Sequence, residues 1–560
     1  MSKQGTTAGR TWWKEAVAYQ IYPRSFMDSN GDGVGDLNGI TSRLDYLQSL
    51  GVDLLWICPI FKSPNDDNGY DVSDYDAILD EFGTMDDFER LLAEVHRRGM
   101  RLILDLVANH TSDEHPWFLE SRSSRDNPKR DWYIWRDGRD GREPNNWESI
   151  FKGSAWKYDD TTGQYFLHLF SERQPDLNWD NPELREAIYT MVRGWLDKGV
   201  DGFRLDATSH KKKAPGLPDM PNPHGLDYVP SFANHMNVDG VLDYVDELCR
   251  NTFAHYDVVA VGEANGVSAD QARYWVGDEH ERLDMIFQFE HSALWKRDPR
   301  GALDVVALKR VLTKWQKALD GVGWNALFLE NHDLPRIVSR WGDTGQWWRE
   351  SATALATMYF LMQGTPFIYQ GQELGATNSR FDRLGDFDDV LTKNRHAQMQ
   401  RQGMPEHEII ETLAILSRDN SRTPMQWDAS PNAGFTTGSP WLKVNPNFPS
   451  INVAQQQDDP ASVLTFYRRL IRLRKSEPTL IHGHYELLME DDPQVYAYLR
   501  VDDTQRFVII TNLTRNDATY AHPGFRLHHE DLLLANRSVD AHEPAARLTL
   551  RAYEARVYRL

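Results

Sequence analysis

Short apolar segments alternate with longer amphipathic segments through most of the 560-residue chain, and this alternation constrains its fold more than any other feature. In one unit, Thr84 can cap a helix whose apolar residues share one face, Gly99 ends that helix, and an apolar strand follows at 102–107. A second unit begins with Asn181 as the cap and leads into a strand at 202–205. Repeated units of strand and helix predict a parallel sheet covered by helices.

Eight candidate strands follow this pattern, at 16–22, 53–58, 102–107, 202–205, 258–262, 283–287, 325–329 and 366–369. Eight strands with intervening helices predict an α/β fold of the closed (β/α)8 type, the TIM barrel. In such a barrel the side chains that perform chemistry lie at the C-terminal ends of the strands. The residues that directly follow each predicted strand are therefore the first candidates for a functional site.

Two parts of the chain depart from the barrel pattern. A long stretch between the third and fourth strands is rich in Trp, Arg, Asp and Gly and has weak periodicity, and we interpret it as an inserted lobe. Near the C-terminus, alternating apolar runs predict a small antiparallel β domain, at 495–499, 507–511 and 547–558. The predicted domains are a barrel at 1–108 and 180–480, a lobe at 109–179 and a β domain at 481–560.

Composition argues against several classes of function. The formal net charge of −21 would repel nucleic-acid phosphates and anionic membrane lipids. The two cysteines, Cys58 and Cys249, can build neither a disulfide framework nor a Cys-rich metal site. No apolar run is long enough to cross a membrane, and residues 1–10 are polar. We therefore expect a cytoplasmic monomer or homodimer with no nucleic-acid or membrane partner.

Three carboxylic acids follow three different predicted strands. Asp206 follows the fourth strand, and Arg204 lies two residues earlier on the same strand face. We expect this guanidinium to hold Asp206 in its ionised form, as a nucleophile requires. Glu263 ends an apolar run, so burial should raise its pKa and suit it to donate a proton. Asp333 follows the seventh strand beside His332, in a polar cluster that could hold sugar hydroxyl groups.

An ionised carboxylate and a protonated carboxyl group on neighbouring strands are what a retaining glycoside hydrolase needs, about 5 Å apart across the bond to be broken. This chemistry requires no organic cofactor. A single acid at a strand end has a simpler explanation, because it can cap a helix or pair with an arginine. Three acids at three strand ends weaken that explanation.

Four short runs resemble the sequence motifs of the α-amylase family of retaining glycoside hydrolases, glycoside hydrolase family 13: DLVANH at 105–110, GFRLD at 202–206, GE at 262–263 and NHD at 331–333. QPDLN at 174–178 and RTPMQW at 422–427 resemble the branch that contains oligo-1,6-glucosidases and α-glucosidases. The similarity spans nearly the whole chain. It implies a catalytic (β/α)8 barrel, an inserted domain after the third strand and a C-terminal β-sandwich domain, in agreement with the pattern above.

The resemblance also implies roles for individual residues. It makes Asp206 the nucleophile, Glu263 the general acid/base and Asp333 the stabiliser of the transition state. A pocket closed around a terminal glucose would restrict action to non-reducing ends. Six residues would bind this innermost glucosyl unit: Asp67, Tyr70, His110, Arg204, His332 and Arg422. Further candidate contacts come from the lobe: Phe151, Phe170 and Gln174.

One loop carries separate chemistry. Oxygen-bearing side chains alternate after the first strand, in the manner of a Ca²⁺ loop: Asp28, Asn30 and Asp32, followed by Asp36. The resemblance to the branch named above implies that Val34 adds its carbonyl oxygen as a further ligand. Gly39 stands where an EF-hand would place its bidentate Glu, and a surface turn rich in Asp and Gly is the alternative. In the branch named above the same loop is a Ca²⁺ site. We therefore expect a structural Ca²⁺ ion, with Mg²⁺ as a substitute.

The residue after the nucleophile bears on which bond is cleaved. In the same branch Val at this position is typical of α-1,6 preference, whereas smaller or polar residues are typical of α-1,4 preference; here it is Ala207. Leu334 is a second departure, because oligo-1,6-glucosidases commonly carry Gln after the His-Asp pair. We therefore expect an exo-acting α-glucosidase that prefers the α-1,4 bonds of maltose and short oligosaccharides, with an oligo-1,6-glucosidase acting on isomaltose as the alternative.

Other activities are weaker alternatives. Sucrose isomerases share these catalytic residues but carry an RLDR-type run near 289–292, where this chain reads FEHS. A trehalose-6-phosphate hydrolase would need a cationic phosphate pocket, which the sequence does not reveal. Transglucosylation uses the same residues, with a sugar in place of water. A non-enzymatic relative of the kind found in amino-acid transporters would carry a membrane span and lack the catalytic acids, so it has the least support.

Overall fold

The computed structural model describes residues 11–277, 280, 282–296 and 300–560, and within them eight parallel strands form a barrel. In chain order these strands are β1 (Ala18–Ile21), β2 (Leu54–Ile57), β3 (Arg101–Leu106), β4 (Gly202–Leu205), β5 (Val259–Glu263), β6 (Met285–Phe287), β7 (Ala326–Leu327) and β8 (Thr365–Tyr369). β1 pairs with β2 and β8, and each strand from β2 to β5 pairs with the next. β7 pairs with β8, and a bridge from Ile286 to Asn325 nearly closes the barrel. The predicted (β/α)8 fold is confirmed.

Helices follow the strands as the alternating pattern predicts. The helices of the barrel portion are Trp12–Glu15, Leu37–Ser42, Leu44–Leu50, Met85–Arg97, Pro182–Asp197, Val241–Asn251, Ala269–Val276, Glu290–Lys296, Val305–Leu319, Ile337–Trp341, Trp348–Phe360, Val390–Arg401, Glu406–Leu416, Asp419–Arg422, Val453–Gln456, Val463–Ser476 and Pro478–His482. Their caps are the predicted ones where we made a prediction. Thr84 forms a reciprocal capping box with Asp87, and the Asn181 side chain accepts hydrogen bonds from two backbone N–H groups of the helix that it precedes.

The barrel interior is filled by aromatic side chains. The ring centroids of Phe287 and Phe367 lie 4.8 Å apart, and Trp56 lies 5.5 Å from Phe287. Gly202 opens β4 at a φ of 137°, and a Cβ atom there would meet the carbonyl oxygen of Val259 at 1.9 Å. This position therefore accepts only glycine, and the close approach fixes β4, which Asp206 directly follows, against β5, which ends in Glu263.

The inserted lobe after β3 contains a helix, Pro116–Ser123, and a three-stranded antiparallel sheet of Trp135–Arg136, Gln164–Leu167 and Trp156–Asp159. Its core includes Trp147, Trp156 and Leu169, but also Leu217, which comes from the loop after β4. That loop contributes a further pairing, because Val229–Pro230 lies parallel to Trp147–Glu148. The lobe, which follows β3 in the chain, is therefore also held by packing and strand pairing with the loop after β4. A short antiparallel pair, Phe61–Lys62 and Asp74–Ile78, follows β2.

The C-terminal domain is antiparallel, as predicted. Its sheets contain the strands His484–Leu488, Val495–Val501, Arg506–Asn512, Ala555–Arg559 and Leu532–Ala535, and the pair Ala518–Tyr520 and Leu548–Leu550. The predicted single run at 547–558 is wrong in detail, because a turn divides it between the two sheets. Arg500 joins this domain to the barrel, since its buried guanidinium donates to the carbonyl oxygens of Leu361, Leu480 and Gly483. The exact domain limits stay predictions.

Within the described residues, no helix combines the length and the apolar character needed to cross a membrane. Cys58 and Cys249 are buried free thiols, as expected of packing residues. The cytoplasmic location and the monomeric or dimeric state stay predictions.

Candidate active site

Arg204 organises three acids at the C-terminal end of the barrel. It lies in β4 opposite Asp105 of β3, and its Nη1 donates to Asp105 Oδ1 at 2.6 Å and to Asp206 Oδ1 at 2.7 Å. Its Nη2 donates to Glu263 Oε2 at 2.8 Å. One guanidinium thus holds the predicted nucleophile and the predicted acid/base side by side. Asp105 is a site residue that the sequence pattern missed, although a lone charge inside the apolar strand was a usable signal.

The two carboxyl groups differ in acidity. Burial raises the pKa of Asp206 to about 6, because the attraction of Arg204 only partly offsets it. Burial raises the pKa of Glu263 to about 7, again against Arg204, and the charge of Asp206 adds to the rise. We predicted that Arg204 would hold Asp206 in its ionised form, and this stays a prediction, because burial raises the pKa of Asp206 more than Arg204 lowers it. Of the two groups, Asp206 has the lower pKa and ionises more readily, while Glu263 keeps its proton more readily.

Asp333 carries a permanent charge. Its Oδ1 accepts hydrogen bonds from Arg422 Nη2 at 2.9 Å and from Arg418 Nη1 at 3.2 Å. His332 Nε2 lies 3.2 Å from its Oδ2. Burial opposes ionisation, but the imidazole and the two guanidinium groups outweigh it and hold the pKa of Asp333 well below its usual range. A fixed negative charge therefore lies beside the predicted acid pair.

Aromatic and amide groups form one wall of the site. The rings of Tyr70 and His332 stack with centroids 5.1 Å apart and planes at 4°. His110 Nε2 lies 3.0 Å from the carbonyl oxygen of Tyr70. Gln174 Nε2 donates to that same oxygen at 3.0 Å and to Asp67 Oδ2 at 3.2 Å. The lobe residue Gln174 is thus tied directly to the predicted glucosyl-binding residues.

Arg418 closes this wall and was not predicted. Its Nη2 donates to Asp67 Oδ1 at 2.8 Å and to Asp389 Oδ1 at 2.6 Å, in addition to the bond to Asp333. Its guanidinium also lies 4.9 Å from the ring of Phe151. The partners are far apart in sequence, so no local pattern connects them. The available signal was an arginine four residues before Arg422, one helical turn away.

The remaining predicted contacts adjoin these residues. The ring of Phe170 lies 4.9 Å from that of His110 and 5.5 Å from that of Phe151. Ala207 is buried, has a left-handed backbone with a φ of 43°, and donates its N–H to Glu263 Oε2 at 3.0 Å. Every predicted catalytic and substrate-binding residue thus belongs to one connected site, although the contacts do not test their roles.

Side chains of the predicted Ca²⁺ loop form hydrogen bonds with other groups of the same loop. The Asp28 carboxylate accepts hydrogen bonds from three backbone N–H groups of the loop, and Asp36 caps the helix Leu37–Ser42. Asn30 Nδ2 donates to Asp32 Oδ2 at 3.0 Å. Across the described part of the chain, no three His, Cys, Asp or Glu side chains are grouped so that they could hold a metal ion. The oxygen-only donor set of the loop suits Ca²⁺, and the ion stays a prediction.

Known proteins share this architecture over nearly the full chain. Residues 20–483 match the family model of the α-amylase catalytic domain. The probable oligo-1,6-glucosidase 3 of Bacillus subtilis (strain 168) is 54% identical over 549 residues, which cover 98% of this chain and 99% of that protein. The oligo-1,6-glucosidase of Parageobacillus thermoglucosidasius is 50% identical over 558 residues, which cover 98% of this chain and 99% of that protein. A mutant isomaltulose synthase from Erwinia rhapontici NX5, solved with its natural substrate sucrose, matches with a TM-score of 0.92 at 43% identity, over 98% of this chain and 99% of that one.

Proposed function

This chain belongs to the α-amylase family of glycoside hydrolases, and we propose that it is a retaining, exo-acting glucosidase that removes glucose from short α-linked oligosaccharides, with α-1,6 bonds preferred. The observation that carries the proposal is the contact of Asp206 and Glu263 with the two arms of the Arg204 guanidinium. Asp206 has the lower pKa of the two. A retaining glycosidase needs this combination of an ionised nucleophile and a protonated acid.

The proposed reaction has two steps. First, Glu263 donates its proton to the glycosidic oxygen while Asp206 attacks the anomeric carbon, so that the leaving sugar departs and a glucosyl ester of Asp206 forms. Second, the Glu263 carboxylate takes a proton from water, whose oxygen attacks the anomeric carbon and releases Asp206. Glucose leaves in the α configuration, and Glu263 has regained its proton. Asp333 would stabilise the positive charge that develops on the sugar ring.

The cluster around Arg418 supports exo action. Asp67, Asp333 and Asp389 all contact this one arginine, and Arg422 lies fully buried against Asp333. Ion pairs of this kind make the wall that Arg418 closes rigid, because moving any member would leave a buried charge without a partner. A pocket closed by this wall would admit a terminal glucose and leave no room for further sugar units beyond its non-reducing end.

The linkage preference rests on two observations that point in different directions. The similar proteins are named oligo-1,6-glucosidases, which supports α-1,6 cleavage and the alternative that we gave from the sequence. The α-1,4 preference that we expected is not confirmed. It stays a second candidate because Ala207, a small residue, lies next to the nucleophile and contacts Glu263. The difference rests on one or two methyl groups, which shift such preferences by about 1–3 kcal/mol.

Initial rates of glucose release from isomaltose and from maltose test the proposal. We expect faster release from isomaltose, and we expect Asp206→Asn to lose activity on both by about a thousandfold or more. Faster release from maltose would support the second candidate. Full activity of Asp206→Asn would overturn the mechanism itself. Parallel assays with sucrose, scored for isomerised product, and with trehalose 6-phosphate test the two weaker alternatives.

A bound divalent cation is a separate proposal. It is supported by the alternating oxygen donors at 28–36, which are the ligands that Ca²⁺ prefers. The ion would be structural, since the loop lies after β1 and contributes none of the predicted catalytic residues.

A further inference from the structure

A cleft lies between the barrel and the C-terminal domain, and we call it the domain cleft. It is lined by residues of the helix Trp348–Phe360, by residues within 460–469, and by residues 532–538 of the C-terminal domain. Its volume is about 480 Å³, within the roughly 300–1,000 Å³ that is typical of ligand clefts. None of the predicted catalytic or substrate-binding residues lines it, so the candidate active site does not account for it.

The charge of the domain cleft is opposite to that of the chain as a whole. Three arginines line it, Arg349, Arg469 and Arg537, and none of the lining residues is acidic. The whole chain, in contrast, has a formal net charge of −21. A concave surface with charges of one sign concentrates the electric field and attracts ions of the opposite sign. The domain cleft therefore favours an anion in a molecule whose net charge repels one.

Two of the three guanidinium groups keep a charge that no carboxylate neutralises. Arg349 is paired, since its Nη2 lies 2.7 Å from Glu350 Oε1. In the described part of the chain, neither Arg469 nor Arg537 forms an ion pair with a carboxylate. Arg537 is held in place by neutral groups: its Nη1 donates to the carbonyl oxygen of Ala552 at 2.9 Å, and its guanidinium lies 4.7 Å from the ring centroid of Trp347. Two cationic groups are therefore available to an anionic ligand.

The helix Val463–Ser476 begins at the domain cleft and places Arg469 there. Ser462, Phe466 and Arg469 all line the cleft, and their spacing of four and three residues places them on one face of the chain. The Ser462 side chain caps the helix by accepting a hydrogen bond from the N–H of Thr465. The N-terminal end of a helix carries a partial positive charge, which adds to that of the arginines.

The opposite wall is the strand Leu532–Ala535, which lies at the edge of its five-stranded sheet. Among the described residues, one row of its backbone N–H and C=O groups therefore has no neighbouring strand. Asn536 fixes this wall to the barrel, because its Nδ2 donates to Thr353 Oγ1 at 2.9 Å and to the carbonyl oxygen of Glu350 at 3.1 Å. The two sides of the cleft are thus held together before any ligand binds.

We propose that the domain cleft binds a small organic molecule that carries a phosphate monoester. Guanidinium groups bind phosphate oxygens in pairs of parallel hydrogen bonds, which Arg469 and Arg537 can supply. The cleft is much larger than one phosphate group, and apolar residues such as Phe466 and Leu533 also line it, which suits an attached organic part. The inference goes beyond the proposed function and does not depend on it, because the cleft shares no residue with the active site.

The proposed ligand would contact the barrel and the C-terminal domain at once. Arg469 belongs to a helix of the barrel portion, whereas Arg537 follows a strand of the C-terminal domain. A molecule that binds only the folded chain stabilises it by mass action. The ligand should therefore raise the melting temperature as well as produce a binding signal.

Calorimetric titration with two phosphate monoesters, AMP and glucose 6-phosphate, tests this proposal at constant ionic strength. We expect the wild type to give a saturable isotherm with at least one of them, and the one that binds more tightly identifies a nucleotide or a sugar phosphate as the ligand. Arg469→Gln and Arg537→Gln should each weaken this binding by about tenfold or more, the worth of a hydrogen bond to a charged group. Arg310→Gln is the matched control, because Arg310 is an exposed arginine of the helix Val305–Leu319, outside the cleft.

Two outcomes would overturn the assignment of the domain cleft. If neither monoester binds the wild type at millimolar concentration, the cleft is not a phosphate site. If the wild type and Arg469→Gln bind with equal affinity, the ligand lies elsewhere, for instance in the glucosyl pocket. Arg469→Gln alone decides if Arg537→Gln fails to fold, because Arg469 is exposed and forms no hydrogen bond within the described residues. The melting temperature gives a second measurement, since the bound monoester should raise it in the wild type and in Arg310→Gln more than in Arg469→Gln.

Discussion

Ala207→Val tests whether the residue after the nucleophile sets the linkage preference. Ala207 is 2% exposed, and its backbone has a φ of 43° and a ψ of 37°. This left-handed conformation costs an L-residue about 1–2 kcal/mol, which Ala207 already bears, and a β-branched side chain adds further strain. Its two additional methyl groups also occupy space beside the acid/base, because the N–H of Ala207 donates to Glu263. Valine therefore changes both the shape of the leaving-group side and the position of that hydrogen bond.

We expect this substitution to raise the ratio of kcat/KM for isomaltose to that for maltose by about tenfold, equivalent to about 1.4 kcal/mol. The midpoint of urea unfolding should fall, by an amount that reflects the backbone strain. Ala207→Gly is the control, since it relieves the left-handed strain and adds no bulk, so it should leave the ratio unchanged. A Val variant that is folded and retains the wild-type ratio would refute the reasoning. So would a Gly variant that shifts the ratio as much as Val does.

Four further predictions follow from the charged groups. The rate kcat/KM should rise as Asp206 ionises near pH 6 and fall as Glu263 loses its proton near pH 7, and Glu263→Gln should lack the alkaline limb. The raised pKa of Glu263 means that the folded chain binds the Glu263 proton more tightly than the unfolded chain does. The stability that this protonation contributes is complete below the unfolded pKa of about 4.3 and is lost as the pH rises through 7. Glu263→Gln should therefore raise Tm more at pH 8 than at pH 4. Arg418→Gln leaves the buried carboxylates of Asp67 and Asp389, and the partly exposed one of Asp333, without their shared partner, and should lower the free energy of unfolding in urea by about 3–5 kcal/mol; an unchanged midpoint would contradict this. After exhaustive chelation, Ca²⁺ should raise the Tm of the wild type but not of Asp32→Asn, and equal Tm values with and without Ca²⁺ would rule the ion out.

The barrel could be predicted because its strands are short, apolar and flanked by capped helices. Each strand of a parallel sheet is buried on both faces, so it appears as a continuous apolar run such as Leu54–Ile57. The division of the C-terminal domain into sheets was harder to predict from the sequence. The run at 547–558 alternates throughout, but a turn at 552–553 sends its two halves to different sheets, Leu548–Leu550 and Ala555–Arg559. Periodicity reports which face is buried, and it does not report which sheet a strand joins.

The site was predictable where one residue type at a strand end carries the chemistry. Asp206 directly follows β4 and Glu263 ends β5, so their position alone identified them as candidates. Arg418 escaped prediction because its importance lies in partners brought together only by folding, and Asp67 is 351 residues away. The rise in the pKa of Asp206 could not be predicted from the sequence, for a related reason. Sequence places Arg204 nearby, but the extent of burial, which raises the pKa more than Arg204 lowers it, is a property of the packed barrel.

The contact of one arginine with both proposed catalytic carboxyl groups would explain how Glu263 serves first as an acid and then as a base. In the free enzyme the negative charge of Asp206 contributes to the raised pKa of Glu263. In the proposed mechanism Asp206 becomes a neutral ester, so this repulsion disappears while Arg204 remains within 2.8 Å of Glu263. The pKa of Glu263 should then fall at the stage when it must accept a proton from water. Since the change in charge comes from the reaction itself, neither carboxyl group has to move between the two steps.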